Sequence, residues 1–139
     1  MNEPSLTFQT AIRTTLLTAP RVTVLVDTNN IRAGSTRPEK FPTIILAAPQ
    51  TIHLGRTGSG YLTRVFLDLH IWAIEDGADM ARQIGHAASV ALFDPPDRLA
   101  VANVDDYVRP SFRYMRDPDP DRAYCHGVAN VSGIVRWTV

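Results

Sequence analysis

Leu62-Thr63-Arg64-Val65-Phe66-Leu67-Asp68-Leu69-His70-Ile71-Trp72-Ala73 is the stretch whose reading decides the fold. Residues two apart point to the same side of an extended chain, and here the two sides differ. Thr63, Val65, Leu67, Leu69, Ile71 and Ala73 make an almost wholly apolar side, which must face a core. Arg64, Phe66, Asp68, His70 and Trp72 make a mixed side of aromatic and charged groups. A long strand of this kind needs a sheet around it and a layer against its apolar side.

On the C-terminal side, Glu75 or Asp76 opens a helix running to about Leu92, its acids placed where the helix dipole favours them. Ala81, Ile84, Ala88 and Ala91 form its inner stripe, small enough to lie close against a sheet, and Pro95 and Pro96 end it. Strands are expected over Val101 to Val108, Ser111 to Arg116 and about Tyr124 to Val139, with a proline-punctuated turn at Asp117 to Asp121. In the last strand Cys125, Gly127, Ala129, Val131, Gly133, Val135, Trp137 and Val139 share a face. Gly127 and Gly133 there imply a bulge or a close backbone approach.

On the N-terminal side, Gly55 to Gly60 reads as a turn, Thr51 to Leu54 as a short strand and Thr43 to Ala47 as a buried one. Asp27 to Pro42, with Asn29, Asn30, Gly34, Pro38 and Pro42, reads as a loop longer than ordinary connections. Val22 to Val26 is a short apolar piece with room for one helical turn. Ser5 is placed to cap a first helix over about Leu6 to Thr18, whose inner face is Phe8, Ala11, Ile12, Leu16 and Ala19 and which Pro20 stops. The expected fold is α+β: an antiparallel or mixed sheet with two helices packed on one face, in one domain covering residues 1–139.

Composition narrows the function. The chain has 14 basic and 14 acidic residues, so it lacks the general positive field of a protein that grips nucleic acid. No apolar run approaches the ~20 residues of a membrane span. The polar Met1 to Leu6 is not a signal peptide, so synthesis in the cytosol is expected. Cys125 is the only cysteine, which excludes an internal disulfide. Lys40 is the only lysine, and arginine is the residue better suited to fixed, bidentate pairing.

Catalytic and metal-binding patterns fail on inspection. Cys125 and His126 are neighbours on a strand and face opposite sides; His53, His70 and His86 lack a second ligand at helical spacing. Asp117, Asp119 and Asp121 alternate like the start of a calcium loop, but Arg122 stands where the glycine is needed and Val128 where the glutamate is needed. Gly55 to Gly60 lacks the lysine–hydroxyl pair of a phosphate loop. The expectation is no metal, no cofactor and no catalysis. The alternative is a small-molecule-binding module or minor enzyme, which would require His70, His86 and Tyr124 to converge on one pocket.

The mixed side of the long strand has the composition of an interface core, aromatics with arginine. Arg109, Arg113, Arg116 and Arg122 alternate in the chain with Asp105, Asp106, Asp117, Asp119 and Asp121, which suits contact between copies of one protein. Candidate subunit contacts are therefore Arg64, Phe66, Asp68, His70 and Trp72, with Arg113 and Arg116. Asn30, Arg32, Arg37, Lys40 and Arg56 are candidates for loops facing a stacked ring or a channel.

One further set of residues points to a family. Thr18-Ala19-Pro20 is followed by Val22 to Val26, then by Phe41-Pro42-Thr43-Ile44-Ile45-Leu46. The strand ending His70-Ile71-Trp72-Ala73, the alanine-rich helix with Ala91-Leu92-Phe93, and Phe112-Arg113-Tyr114-Met115-Arg116-Asp117-Pro118-Asp119 complete the series. The arrangement resembles, over nearly the whole chain, the tail-completion or tail-terminator proteins of siphophages, prophages and gene transfer agents. Asn29 to Lys40 and Gly55 to Gly60 depart from it. The resemblance implies a non-enzymatic virion protein at the head–tail junction, made in the host bacterial cytoplasm. It implies a homo-hexameric ring that stops tube polymerisation. Its partners would be the tail tube protein and the head connector or stopper, with DNA passing through the lumen without sequence-specific binding and no membrane involved. A head–tail connector adaptor is the nearest alternative.

Overall fold

The computed structural model describes residues 3–34, 38–75, 78–96, 104–117 and 123–139. In chain order they form α1 (Pro4–Leu17), the single turn α2 (Pro20–Thr23), β1 (Ile31–Ala33), β2 (Thr43–Leu46), β3 (Gln50–Thr57), β4 (Gly60–Ile74), α3 (Asp79–Ala91), β5 (Val104–Val108), β6 (Arg113–Asp117) and β7 (Tyr124–Trp137). The architecture is α+β, one open seven-stranded mixed sheet with α1 and α3 against the same face.

The two long strands β4 and β7 pair antiparallel from Tyr61↔Trp137 to Ile74↔Tyr124 and make the centre of the sheet. Each is flanked on its other side by two short strands set end to end. β3 and β2 share the outer side of β4; β5 and β6 share the outer side of β7. β1 adds to β2 in parallel, which makes the sheet mixed.

The apolar side of β4 faces the helices as its alternation predicts: Thr63, Val65, Leu67, Leu69, Ile71 and Ala73 are all buried. They meet Phe8, Ala11, Ile12 and Leu16 of α1 and Ala81, Ile84, Ala87 and Ala88 of α3, with Cys125, Val131 and Val135 from β7. Burying each large aliphatic side chain here contributes about 1.5–3 kcal/mol. The alanines let α3 approach closely, and Gly85 brings it onto Tyr114: a Cβ there would lie 2.0 Å from the Tyr114 hydroxyl oxygen. Both strand glycines are close approaches. A Cβ at Gly127 would meet the Tyr114 ring at 3.0 Å, and one at Gly133 would meet Val104 Cγ1 at 2.5 Å.

Several boundaries differ from the sequence expectation, each for a local reason. Helix α1 starts at Pro4, because Glu3 rather than Ser5 is its cap: the Glu3 carboxylate accepts from the Ser5 N–H at 3.0 Å and the Leu6 N–H at 2.9 Å. Pro20 both ends α1 and opens α2, since its missing N–H is no loss at a helix start. The stretch Asp27 to Pro42 is not all loop. It holds a 3₁₀ turn at Thr28–Asn30 and then β1, whose Ile31 is buried against the core. Helix α3 begins at Asp79, and the Glu75 carboxylate reaches across to the Met80 N–H at 3.0 Å; Asp76 lies outside the described residues.

The largest difference is at β3. Thr51 to Leu54 was expected as a short strand and Gly55 to Gly60 as a turn, but the strand runs Gln50–Thr57 and the turn is only Gly58 and Ser59. Gly55 (φ +105°) is taken up as a bulge in the strand, and Gly58 (φ +56°) turns the hairpin, so the glycines that looked like loop serve a longer hairpin. The expected strand over Val101 to Val108 is seen as β5, its first three positions lying outside the described residues, as do residues 118–121 of the expected Asp117 to Asp121 turn. The expected Ser111 to Arg116 strand is shifted to Arg113–Asp117, and Val139 is exposed beyond the end of β7. Among the described residues no helix is long and apolar enough to cross a membrane.

Candidate functional site

The face of the sheet away from the helices is where the candidate residues gather. Pairing places Arg64, Phe66, Asp68, His70 and Trp72 opposite Ile134, Ser132, Asn130, Val128 and His126 respectively, all on this side. The polar members are already partnered within the chain. Arg64 pairs with the Asp106 carboxylate, and Asn130 donates to Asp68 Oδ1 at 3.0 Å. Arg136, on the same face, donates to Asp105 Oδ2 at 3.0 Å.

His70 and His126 meet, Nδ1 to Nε2, at 2.8 Å. Trp72 stacks on His126 with ring centres 4.0 Å apart, Tyr124 meets Trp72 edge-on, and Phe41 lies 5.3 Å from Tyr124. The result is a run of five rings along one end of the face, from Phe41 to His70. Sequence spacing could not show it, because His70 and His126 come from different strands. The segment carrying Phe41 covers the Tyr124 end, and Ile52, Val108 and Met115 are exposed on the rest of the face.

The two arginines of β6 separate. Arg113 pairs with Val128 and shares the open face, whereas Arg116 pairs with Cys125 and faces the helix side. Residues three apart on a strand cannot share a side. Of the loop candidates, Asn30, Arg32 and Lys40 line one polar cleft of about 370 Å³ with Asn29, Glu39 and Thr43. Arg56 is elsewhere, on the β3–β4 hairpin with its guanidinium 5.3 Å from the Tyr61 ring centre, and Arg37 lies outside the described residues.

The three residues that a small-molecule pocket would need do not converge. His70 and Tyr124 are on the open face, while His86 is on α3 on the opposite side of the sheet. His86 lines a groove of about 840 Å³ with Arg82, Phe93, Arg109, Phe112 and Tyr114, in which the Arg109 guanidinium stacks 3.6 Å over Phe93. Among the described residues no three His, Cys, Asp or Glu side chains are grouped to hold a metal ion. Cys125 is buried, and that burial, reinforced by the charge of Glu75, pushes its thiol up from the ordinary value. It is therefore a poor nucleophile.

The feature that sequence reading missed is the full length of β3. All eight of its residues are exposed, and its far side has no strand partner among the described residues. The turn-like glycines hid its length.

The family model of tail completion protein gp17 matches residues 10–136. The chain belongs to the tail completion protein gp17 family. It is accordingly a structural protein of phage-type tails, and the family is not one of enzymes. A chain of the solved virion of a native gene transfer agent particle has the same fold as this tail completion protein. It covers 99% of this chain and 100% of its own, with a TM-score of 0.69 at 13% identity. Among curated proteins none matches. The matched region spans every strand and both long helices but for the first turns of α1 and the last residue of β7, so the resemblance read from the sequence holds over the whole architecture.

Proposed function

We propose that this tail completion protein is the terminator of a phage-like tail: copies form a ring at the head-proximal end of the tube, stop its growth and join it to the head connector. The observation that carries the reading is membership of the tail completion family over residues 10–136. The fold is compatible with it. An open sheet has two unlike edges, and unlike edges support head-to-tail contacts, the kind that generate rings.

The open face suits a wall that DNA passes. Arg64 and Arg136 are each neutralised by a carboxylate from β5, and Asp68 is bonded to an amide. Arginines paired in this way release few counterions from phosphates, so Arg64 and Arg136 do not hold the duplex in transit. We assign the open face to the lumen or to stacked neighbours, and the cleft of Asn30, Arg32 and Lys40 to a contact with an adjoining ring.

The test is to produce particles from which this protein alone is missing. Tubes of uncontrolled length that fail to join heads are expected, with joining restored when the protein is supplied. Tubes of normal length on filled heads would rule the role out.

A further inference from the structure

We propose that copies of this chain join by strand addition, the outer edge of β3 pairing antiparallel with the outer edge of β5 on the next copy. This rests on the ring reading above and names the contact that would close it.

Strand β3 has the properties of an edge kept for a partner. Natural edge strands are blunted by lysine, proline, inward charge, bulges or shortness. β3 is eight residues long, contains neither lysine nor proline, and carries Arg56 as its only full charge. Its bulge falls between His53 and Gly55 and leaves Gln50 to His53 regular. Ile52 is 49% and Leu54 48% exposed, an apolar pair with nothing against it among the described residues.

The opposite edge of the same sheet is exposed as well. Among the described residues β5 is the last strand on that side, and Val108 is 51% exposed. Asp105 and Asp106 are its charges, and their side chains remain 51% and 67% exposed even while paired with Arg136 and Arg64.

Register argues that the occupant is a second copy. β3 and β5 lie at the same height on the central pair. Ile52 pairs with Arg64, Arg64 with Ile134, and Ile134 with Asp105; Gln50, Phe66, Ser132 and Val108 form the next row on that face. The row β3–β4–β7–β5 is antiparallel throughout. A copy rotated about an axis lying along the strands keeps their direction, so its β5 meets β3 antiparallel; β5 is itself bulged between Asp105 and Val108, with Asp106 at φ +48°, and the pairing is regular only outside that bulge. Because the two edges are level, successive copies need little rise along the axis. A head-to-tail contact without rise closes into a ring, whereas one with rise makes a filament.

The experiment uses two variants, Ile52→Lys/Leu54→Lys at one edge and Asp105→Lys/Val108→Lys at the other. Mass in solution and on tail tubes is combined with amide exchange. The wild type is expected to form a closed oligomer in which the amides of both β3 and β5 slow roughly tenfold or more relative to the dilute monomer. Each variant is expected to stay monomeric with the circular dichroism and the β4 and β7 protection of the wild type, and an equimolar mixture to give a two-chain species through the two intact edges. A ring in which β3 amides exchange as in the monomer overturns the contact while leaving the terminator role intact. So does a two-copy species with only β3 protected, or β3 protection that appears on adding tube protein while β5 stays open. A wild type that forms no ring even on tubes overturns the ring reading itself.

Discussion

Gly133 shows how little room this sheet leaves at single positions. The ring edge of Phe8 would stand 3.3 Å from a Cβ at that position and Val104 Cγ1 2.5 Å from it, so α1 and β5 both close on the bare backbone of β7. Gly133→Val is expected to destabilise the protein by about 1–3 kcal/mol through overpacking, read as a lower urea midpoint at unchanged slope. The sequence showed that Gly127 and Gly133 were special, because glycine inside an apolar strand wastes packing area. It did not show what approached them, since Phe8, Val104 and Tyr114 come from three other elements. The same limit applied to His70 and His126, whose 2.8 Å contact joins residues that no local spacing relates.

At the scale of elements, α1 depends on a cap that titrates. Slight burial raises the Glu3 pKa, but hydrogen bonds from the Ser5 side chain and from the Ser5 and Leu6 N–H groups outweigh it, and the net shift is downward. A lowered folded-state pKa means that this contribution is present above the ordinary carboxylate value and is lost as pH falls through the folded-state value. The Ser5 and Leu6 amides are therefore expected to lose protection selectively in that acidic window, and Glu3→Gln to remove the pH dependence. Equal protection of these amides in wild type and variant across the window would show that Glu3 is not the cap. Helix periods and the long strand periods were legible because burial alternates with them, at 3.6 and at 2 residues. The short β1 and the true length of β3 were not. A three-residue strand has no period to detect, and β3 is exposed on both sides, so no burial pattern marks it.

Over the whole molecule a single core joins both helices to the sheet, with Cys125 inside it. Burial pushes the thiol up and closes it off, so alkylation at neutral pH is expected to be slow in the native protein and to follow the global unfolding transition across a denaturant series. Fast labelling without denaturant would mean that the β7 end of the core opens separately. The same one-layer plan explains the division of surfaces. Helices cover one side of the sheet, which leaves the other side and the two edges of the sheet open to neighbours among the described residues.

The sequence by itself determined the α+β class, the two packed helices, the inward side of β4 and the absence of any local catalytic or metal motif. These follow from spacing along one stretch of chain, which burial writes directly into residue order. The resemblance to the tail-completion family was also present in that order. Only the tertiary structure decided that Arg113 and Arg116 face opposite ways, that Arg64, Asp68 and Arg136 on the open face are satisfied within the chain, and that β3 and β5 stand level on opposite edges. Those facts depend on which strands pair and in what register, and register is set by contacts between segments far apart in sequence.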